Sequence, residues 1–69
     1  MKINFLEDDS IIAINENNNK FKIVKERING TMIYNYFVYG CYGIDDYDYF
    51  VNEYATLEDA LKDCEKGFY

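Results

Sequence analysis

An uncharged stretch rich in aromatic residues predicts the central strand of the chain. Residues 31–39 read TMIYNYFVY, and five of the nine are Tyr, Phe or Val, which favour a pleated, half-buried surface. A second apolar segment, residues 21–28, ends just before Asn29 and Gly30. Asn-Gly between two such segments is the strongest short signal for a β-hairpin, because a type I′ turn needs positive φ at both central residues. We therefore expect a tight hairpin with a two-residue loop.

A two-residue loop here determines which residues face each other across the hairpin. Opposite residue numbers then sum to 59, so that Ile23 faces Tyr36 and Phe21 faces Val38. Side chains alternate along a strand, so these four residues share one side of the sheet, which we assign to the core. The other side then carries four apolar residues: Val24, Ile33, Phe37 and Tyr39.

Shorter apolar segments predict further strands around the hairpin. Residues 2–6 alternate apolar and polar positions and read as an edge strand or an ordered arm, and residues 11–15 (IIAIN) are rich in β-branched side chains. Residues 40–43 predict a loop or a bulge, because their glycines tolerate strained backbone angles. Residues 47–51 (YDYFV) predict another strand.

The last segment of the chain predicts a helix. Thr56 is a good N-cap with Asp59 three positions on, and Gly67 fits the position just past the C-terminus, with Phe68 available for a hydrophobic contact. The fold class expected for residues 1–69 is therefore a single α+β domain: an antiparallel sheet of four to five strands with one C-terminal helix packed on one face. The apolar stripe of this helix comprises Leu57, Ala60, Leu61 and Cys64.

Composition argues against several classes of function. Thirteen acidic residues against seven basic ones give a net charge of −6, which disfavours direct binding to nucleic acid and favours a basic protein partner. The chain has no His, and neither Cys41 nor Cys64 has an evident activating partner, so we expect no catalysis and no cofactor. We expect both thiols to be reduced and the protein to be cytoplasmic, because no leader segment and no membrane-spanning stretch is evident.

A cluster of acids in the C-terminal third is the main candidate binding site. Residues 44–65 contain eight acids against Lys62 alone, a net charge of −7, whereas residues 20–27 carry a net charge of +3. Asp45, Asp46 and Asp48 depart from the calcium-loop pattern, so we predict no metal site. These acids either serve a partner or only keep a Tyr-rich chain soluble. The predicted partner-binding residues are Asp45, Asp46, Tyr47, Asp48, Tyr49, Glu53, Glu58, Asp59 and Asp63.

In size, acidity, Tyr and Asn content and acid clustering, the chain resembles phage-encoded anti-defence proteins, including anti-CRISPR and anti-restriction inhibitors. Many of these imitate nucleic acid with carboxylates. The resemblance implies a non-enzymatic inhibitor that masks a basic, nucleic-acid-binding surface of a host defence or nucleic-acid enzyme. The alternative function is a self-associating structural or accessory module without nucleic-acid mimicry.

One short helix can cover only one side of the predicted sheet. The other side would leave Ile33, Phe37 and Tyr39 open, and monomeric soluble proteins seldom expose large apolar patches. Either residues 1–15 fold back over this side, or a second subunit covers it in a homodimer with these three residues at the interface.

Overall fold

A computed structural model of the chain describes residues 1–44 and 46–67. Within those residues it shows one five-stranded antiparallel sheet and one C-terminal helix, which confirms the α+β fold. Asp45 and Phe68, for which we predicted a binding role and a helix-capping contact, lie outside the described residues. The elements are β1 (Lys2–Phe5), β2 (Ile11–Ile14), β3 (Lys20–Arg27), β4 (Tyr34–Tyr42), β5 (Asp46–Tyr54) and α1 (Leu57–Lys66), and the strands lie in the sheet in chain order.

The two-residue turn predicted between β3 and β4 is wrong. The loop comprises residues 28–33, and it is closed by a hydrogen bond from the Ile28 N–H to the Ile33 carbonyl (2.8 Å). Thr31 stabilises this wider loop, because its hydroxyl donates to the Ile28 carbonyl (2.9 Å) and accepts from the Ile33 N–H (3.1 Å). Gly30 still adopts positive φ, at 76°. Ile33 therefore lies in the loop and not on a strand, and 60% of its surface is exposed.

The predicted core side of the hairpin is nevertheless confirmed. Opposite residue numbers sum to 61 instead of 59, so Ile23 faces Val38 and Lys25 faces Tyr36. A shift of two residues returns every side chain to the same side of the sheet, because the side-chain period of a strand is two. Phe21, Ile23 and Val38 are accordingly buried.

The last two strands are longer than predicted. We expected a loop or a bulge at residues 40–43. β4 instead continues through residue 42, because Gly40 pairs with both Phe21 and Tyr49, and the register is irregular there, as the second alternative predicts. The register between β4 and β5 shifts twice, between Val38 and Tyr39 and again between Gly40 and Tyr42, as in β-bulges. β5 thereby extends to Tyr54, and α1 begins after a short connection, at Leu57.

The helix prediction is confirmed at both ends. The Thr56 hydroxyl accepts the Asp59 N–H (3.2 Å), and Gly67, with φ 82°, donates its N–H to the carbonyls of Asp63 (3.1 Å) and Cys64 (3.3 Å). The apolar stripe faces the sheet, with Leu57 and Leu61 packed against the core. The buried apolar core is a single layer between α1 and one sheet face: Ile11, Ala13, Phe21, Ile23, Val38, Ala60 and Cys64.

Asn15 connects the helix to the sheet, a role that its sequence context did not indicate. The residue is only 4% exposed, and its Nδ2 donates to the Cys64 carbonyl (3.0 Å) and to Asn19 Oδ1 (3.2 Å). Its Oδ1 accepts the N–H groups of Asn17 and Asn19, both at 3.0 Å. One side chain therefore orders the β2–β3 turn and attaches it to the C-terminal end of α1.

The N-terminal strands do not fold back over the open side of the sheet. β1 pairs with β2 and β2 pairs with β3, so residues 2–14 widen the sheet within its own plane. Among the described residues, no element packs on the side opposite α1, which we call the helix-free face.

Candidate protein-binding surface

The sheet divides the carboxylates that we predicted to form one patch. Asp48 lines a cavity on the helix-free face together with Lys22 and Tyr39. Glu53 lies on the same face, since it pairs with Phe37 and accepts a hydrogen bond from Asn35 Nδ2 (3.2 Å). The carboxylates of α1 lie on the other side, because the helix packs on the core face.

The remaining predicted residues of β5 have different environments. Asp46 is exposed at the first position of the strand, and its Oδ1 accepts the Asp48 N–H (3.3 Å). Tyr47 is half-buried and lines the same cavity as Asp48. Tyr49 is exposed and meets Tyr42 in an edge-to-face contact, with ring centroids 5.3 Å apart.

The three predicted residues of α1 also differ from one another. Glu58 and Asp59 are exposed, and Glu58 forms the one ion pair shown among residues 1–44 and 46–67, with Lys62 at 3.9 Å. Asp63 is half-buried. Its carboxylate lies close to the Tyr54 hydroxyl. Burial of the Tyr54 phenol and this nearby carboxylate together raise the pKa of Tyr54 to about 12. Asp63 is thus less available to a partner than Glu58 and Asp59.

A second group of carboxylates, which sequence reasoning placed outside the acidic cluster, lies beside the start of the helix. Asp9 and Leu57 line the same groove, so the β1–β2 turn lies next to the N-terminal end of α1. The two segments are far apart in sequence, and only the strand order brings them together. We call the acidic end the five exposed carboxylates that lie in these two segments, of which Asp9 lines the groove itself: Glu7, Asp8, Asp9, Glu58 and Asp59.

Local hydrogen bonds order the turn that presents the first three of these acids. The Asp8 carboxylate accepts the Ser10 N–H (3.1 Å) and the Ser10 hydroxyl, and these bonds lower the pKa of Asp8. Asp9 takes positive φ, at 66°, a conformation that Asp tolerates better than most residues. Two further backbone bonds between Leu6 and the residues that follow it close the turn. The acidic end is therefore held by a structured turn.

An apolar groove of about 310 Å³ lies beside the acidic end. Its floor includes Ile11 and Ile23, which belong to the core, and its walls include Phe5 and Leu57. Phe5, the last residue of the edge strand β1, is 76% exposed. Among the described residues, Asp9 is the one carboxylate and Lys25 the one cation that line the groove. The groove can therefore receive an apolar side chain of a partner while Asp9 contacts a cation.

The side chains in the described part of the chain offer little for other chemistry. No group of three or more His, Cys, Asp or Glu residues within residues 1–44 and 46–67 is placed to hold a metal ion. Both cysteines are free; Cys64 is fully buried, and burial together with Asp63 raises the pKa of its thiol to about 12. The described helix is also too short and too polar to cross a membrane.

Comparisons of the chain with protein-family models, curated proteins and solved structures found no match. Function is therefore inferred from the acidic end and its groove.

Proposed function

We propose that this chain is a non-enzymatic binding protein of the phage anti-defence type, which masks a basic, nucleic-acid-binding surface of a host defence or nucleic-acid enzyme. The observation that supports this proposal best is an apolar groove of about 310 Å³ that is lined by Asp9 and by Leu57, each of which adjoins further exposed carboxylates in the sequence. Because Asp9 both belongs to the acidic end and lines the groove, charge and apolar surface meet at one site.

The electrostatics of the acidic end suit a partner rich in Lys and Arg. Of its five carboxylates, only Glu58 has an ion-pair partner within the described residues. With a net charge of −6 on the whole chain, such uncompensated charge attracts a basic surface over about a Debye length of roughly 8–10 Å. The attraction should raise the association rate and weaken as salt is added.

Carboxylates can replace phosphates on a basic surface because both groups are anionic acceptors. Arg binds either one through two parallel N–H···O bonds. A phosphate backbone offers no apolar pocket next to its charges, whereas the groove between Phe5 and Leu57 can also bury a side chain of the partner. Buried anchors of this kind supply most of the energy of protein interfaces. The groove would therefore add affinity and selectivity to the electrostatic contact.

Affinity capture from a bacterial lysate at low and high salt tests this function. Bound proteins are eluted with duplex DNA, which releases only partners whose nucleic-acid-binding surface is occupied by the bait. The site variant is Glu7→Gln/Asp9→Asn/Glu58→Gln, which removes three charges from the acidic end with little change in shape. We expect the native chain to capture a nucleic-acid-binding protein at low salt, and the site variant to lose it.

A matched control removes three charges elsewhere: Glu16→Gln/Glu26→Gln/Glu65→Gln. Glu16 and Glu65 lie near the C-terminal end of α1, where Asn15 bonds to Cys64, and Glu26 is exposed near the end of β3. This control should keep its partner, and circular dichroism should show both variants folded. Equal losses from the two variants would mean that net charge alone drives capture. Capture that resists both salt and DNA would refute the masking of a nucleic-acid-binding surface.

A further inference from the structure

The side-chain amide of Asn29 is exposed next to a backbone that gives it little steric protection. Asn29 is the only one of the eight asparagines in the chain that is followed by a glycine. Both Asn29 and Gly30 are exposed, and a Cβ added at Gly30 would meet no atom within 4 Å. Because glycine has no side chain, other groups can approach its backbone closely. The Asn29 side chain can therefore approach the Gly30 nitrogen without a clash.

Asn29 and Gly30 are the two central residues of a β-turn within the loop of residues 28–33. The Thr31 N–H donates to the Ile28 carbonyl (3.1 Å), and Gly30 has φ 76°, as the third residue of a type II turn requires. In the part of the chain that the structure describes, the Gly30 N–H donates no hydrogen bond. This nitrogen can therefore turn towards the Asn29 side chain without losing a bond of its own.

We propose that Asn29 is a self-modification site, at which the chain deamidates without an enzyme and with water as the only other reactant. In the first step the Gly30 backbone nitrogen attacks the side-chain carbonyl carbon of Asn29, Cγ. A bond forms between this nitrogen and Cγ, and the bond from Cγ to the side-chain amide nitrogen breaks. Ammonia leaves and carries away the proton of the Gly30 N–H. The product is a five-membered succinimide ring.

In the second step water opens the succinimide at one of its two carbonyl carbons. Attack at Cγ breaks the new bond and leaves an ordinary Asp. Attack at the backbone carbonyl carbon breaks the original peptide bond, so that the chain continues through the side chain as isoaspartate. Neither step oxidises or reduces any atom. Both products are about 1 Da heavier than the native chain and carry a carboxylate at a position that was neutral.

Asn17 is a second exposed Asn in a turn, but it lacks the conditions that favour the reaction. Its C-terminal neighbour is Asn18, whose side chain shields the backbone nitrogen between the two residues. The Asn18 N–H also donates to the Asn15 carbonyl (3.0 Å). Attack on Asn17 would have to break that bond, so Asn17 serves as a control within the same molecule.

The modification would change both the charge and the backbone of the β3–β4 loop. Each event adds one negative charge to the net charge of −6. Isoaspartate also adds one carbon to the backbone inside the β-turn, so the hydrogen bond from Thr31 to Ile28 should be lost in that product. The reaction needs no partner and therefore does not depend on the proposed function.

Incubation of the native chain at mildly alkaline pH tests the site, because the attacking amide nitrogen loses its proton more readily there. Samples taken over time are digested, and fragmentation in a mass spectrometer locates each deamidated residue. We expect Asn29 to gain about 1 Da and to yield both Asp and isoaspartate. Isoaspartyl methyltransferase with labelled S-adenosylmethionine should label the isoaspartate form. An Asn29 that stays intact, or that reacts no faster than Asn17, would overturn the proposal.

Two variants test the chemistry at Asn29 itself. Gly30→Ala should slow the reaction several-fold, because its methyl group shields the attacking nitrogen. Asn29→Gln should stay intact over the same period, because its longer side chain would have to close a six-membered ring. Asn17→Gln is the matched control, and Asn29 should react in it as fast as in the native chain.

Alanine at positive φ strains the turn, so the native chain and Gly30→Ala are also compared when both are unfolded in urea. The native chain should again react faster, since the shielding by the added methyl group is local. If Gly30→Ala reacts as fast as the native chain in both states, Gly30 does not make Asn29 a modification site.

Discussion

Substitution of Asn15 tests how the helix is attached to the sheet. The side chain donates two hydrogen bonds and accepts two, and it is 4% exposed. Asn15→Ala removes all four bonds. The Asp side chain of Asn15→Asp has almost the same shape as Asn and keeps the two accepted bonds to the β2–β3 turn. It loses the two donated bonds and places a carboxylate against the Cys64 carbonyl. The two variants therefore separate the turn from the helix attachment.

The expected loss of stability follows from the number of bonds and their burial. Net contributions of about 0.5–1.5 kcal/mol per hydrogen bond, with some of the four partly exposed, give a cost of roughly 2–4 kcal/mol for Asn15→Ala. That is a large part of the ~5–15 kcal/mol that stabilises a typical domain. Because Asn15→Asp keeps the two accepted bonds, its cost reports the loss of the two donated bonds and the repulsion between the new carboxylate and the negative end of the helix dipole.

Urea unfolding followed by circular dichroism measures both effects. The matched control is Asn17→Ala in the same turn, since Asn17 is exposed and its hydrogen bond to Asn15 uses only its backbone N–H. We expect this control to cost well under 1 kcal/mol, as is usual for exposed surface positions. If Asn15→Ala and Asn17→Ala lower the free energy of unfolding equally, Asn15 does not attach the helix.

Three other residues give shorter tests. Gly30→Val should cost about 1–2 kcal/mol from backbone strain alone, because φ is 76° and an added Cβ would meet no atom within 4 Å; an unchanged urea midpoint would contradict this. A thiol reagent should modify Cys41 but not the buried Cys64 until the chain is unfolded, and two reactive thiols in the folded protein would show that α1 is not packed as described. Tyr54→Phe should be about as stable as the native chain at pH 7, because the buried hydroxyl lies beside Asp63 and Asn52 without a well-formed hydrogen bond among the described residues. Folding raises the pKa of Tyr54 from 10.0 to about 12, so the native chain should lose stability as the pH rises from 10 to 12. Tyr54→Phe should lose less stability over this range, and an identical alkaline loss in both proteins would contradict this.

Local chemistry explains what could be predicted from the sequence. The ends of α1 depend on Thr56 and Gly67, whose hydrogen bonds lie within the segment itself, so no knowledge of the rest of the fold was needed. The core side of the hairpin was also predictable, because the period-2 pattern of Phe21 and Ile23 survives a register shift of two residues.

The features that the sequence did not reveal depend on competition between local signals or on long-range topology. Asn29 and Gly30 favour a tight turn, but the Thr31 hydroxyl stabilises the wider loop by bonding both of its ends. The acidic end needs the strand order, since the β1–β2 turn and the start of α1 are joined only by the folded sheet. In the sequence Asn15 looks like any other turn Asn, because its hydrogen-bond partner Cys64 comes next to it only in the folded chain.

Competition with DNA on a captured partner tests the central claim most directly. The partner is bound to a fluorescently labelled duplex, and the native chain is added while the polarisation of the label is followed. We predict that the native chain releases the duplex completely, that Glu7→Gln/Asp9→Asn/Glu58→Gln releases far less, and that Glu16→Gln/Glu26→Gln/Glu65→Gln matches the native chain. A complex that holds the duplex and the native chain at the same time would show that the acidic end does not occupy the nucleic-acid-binding surface.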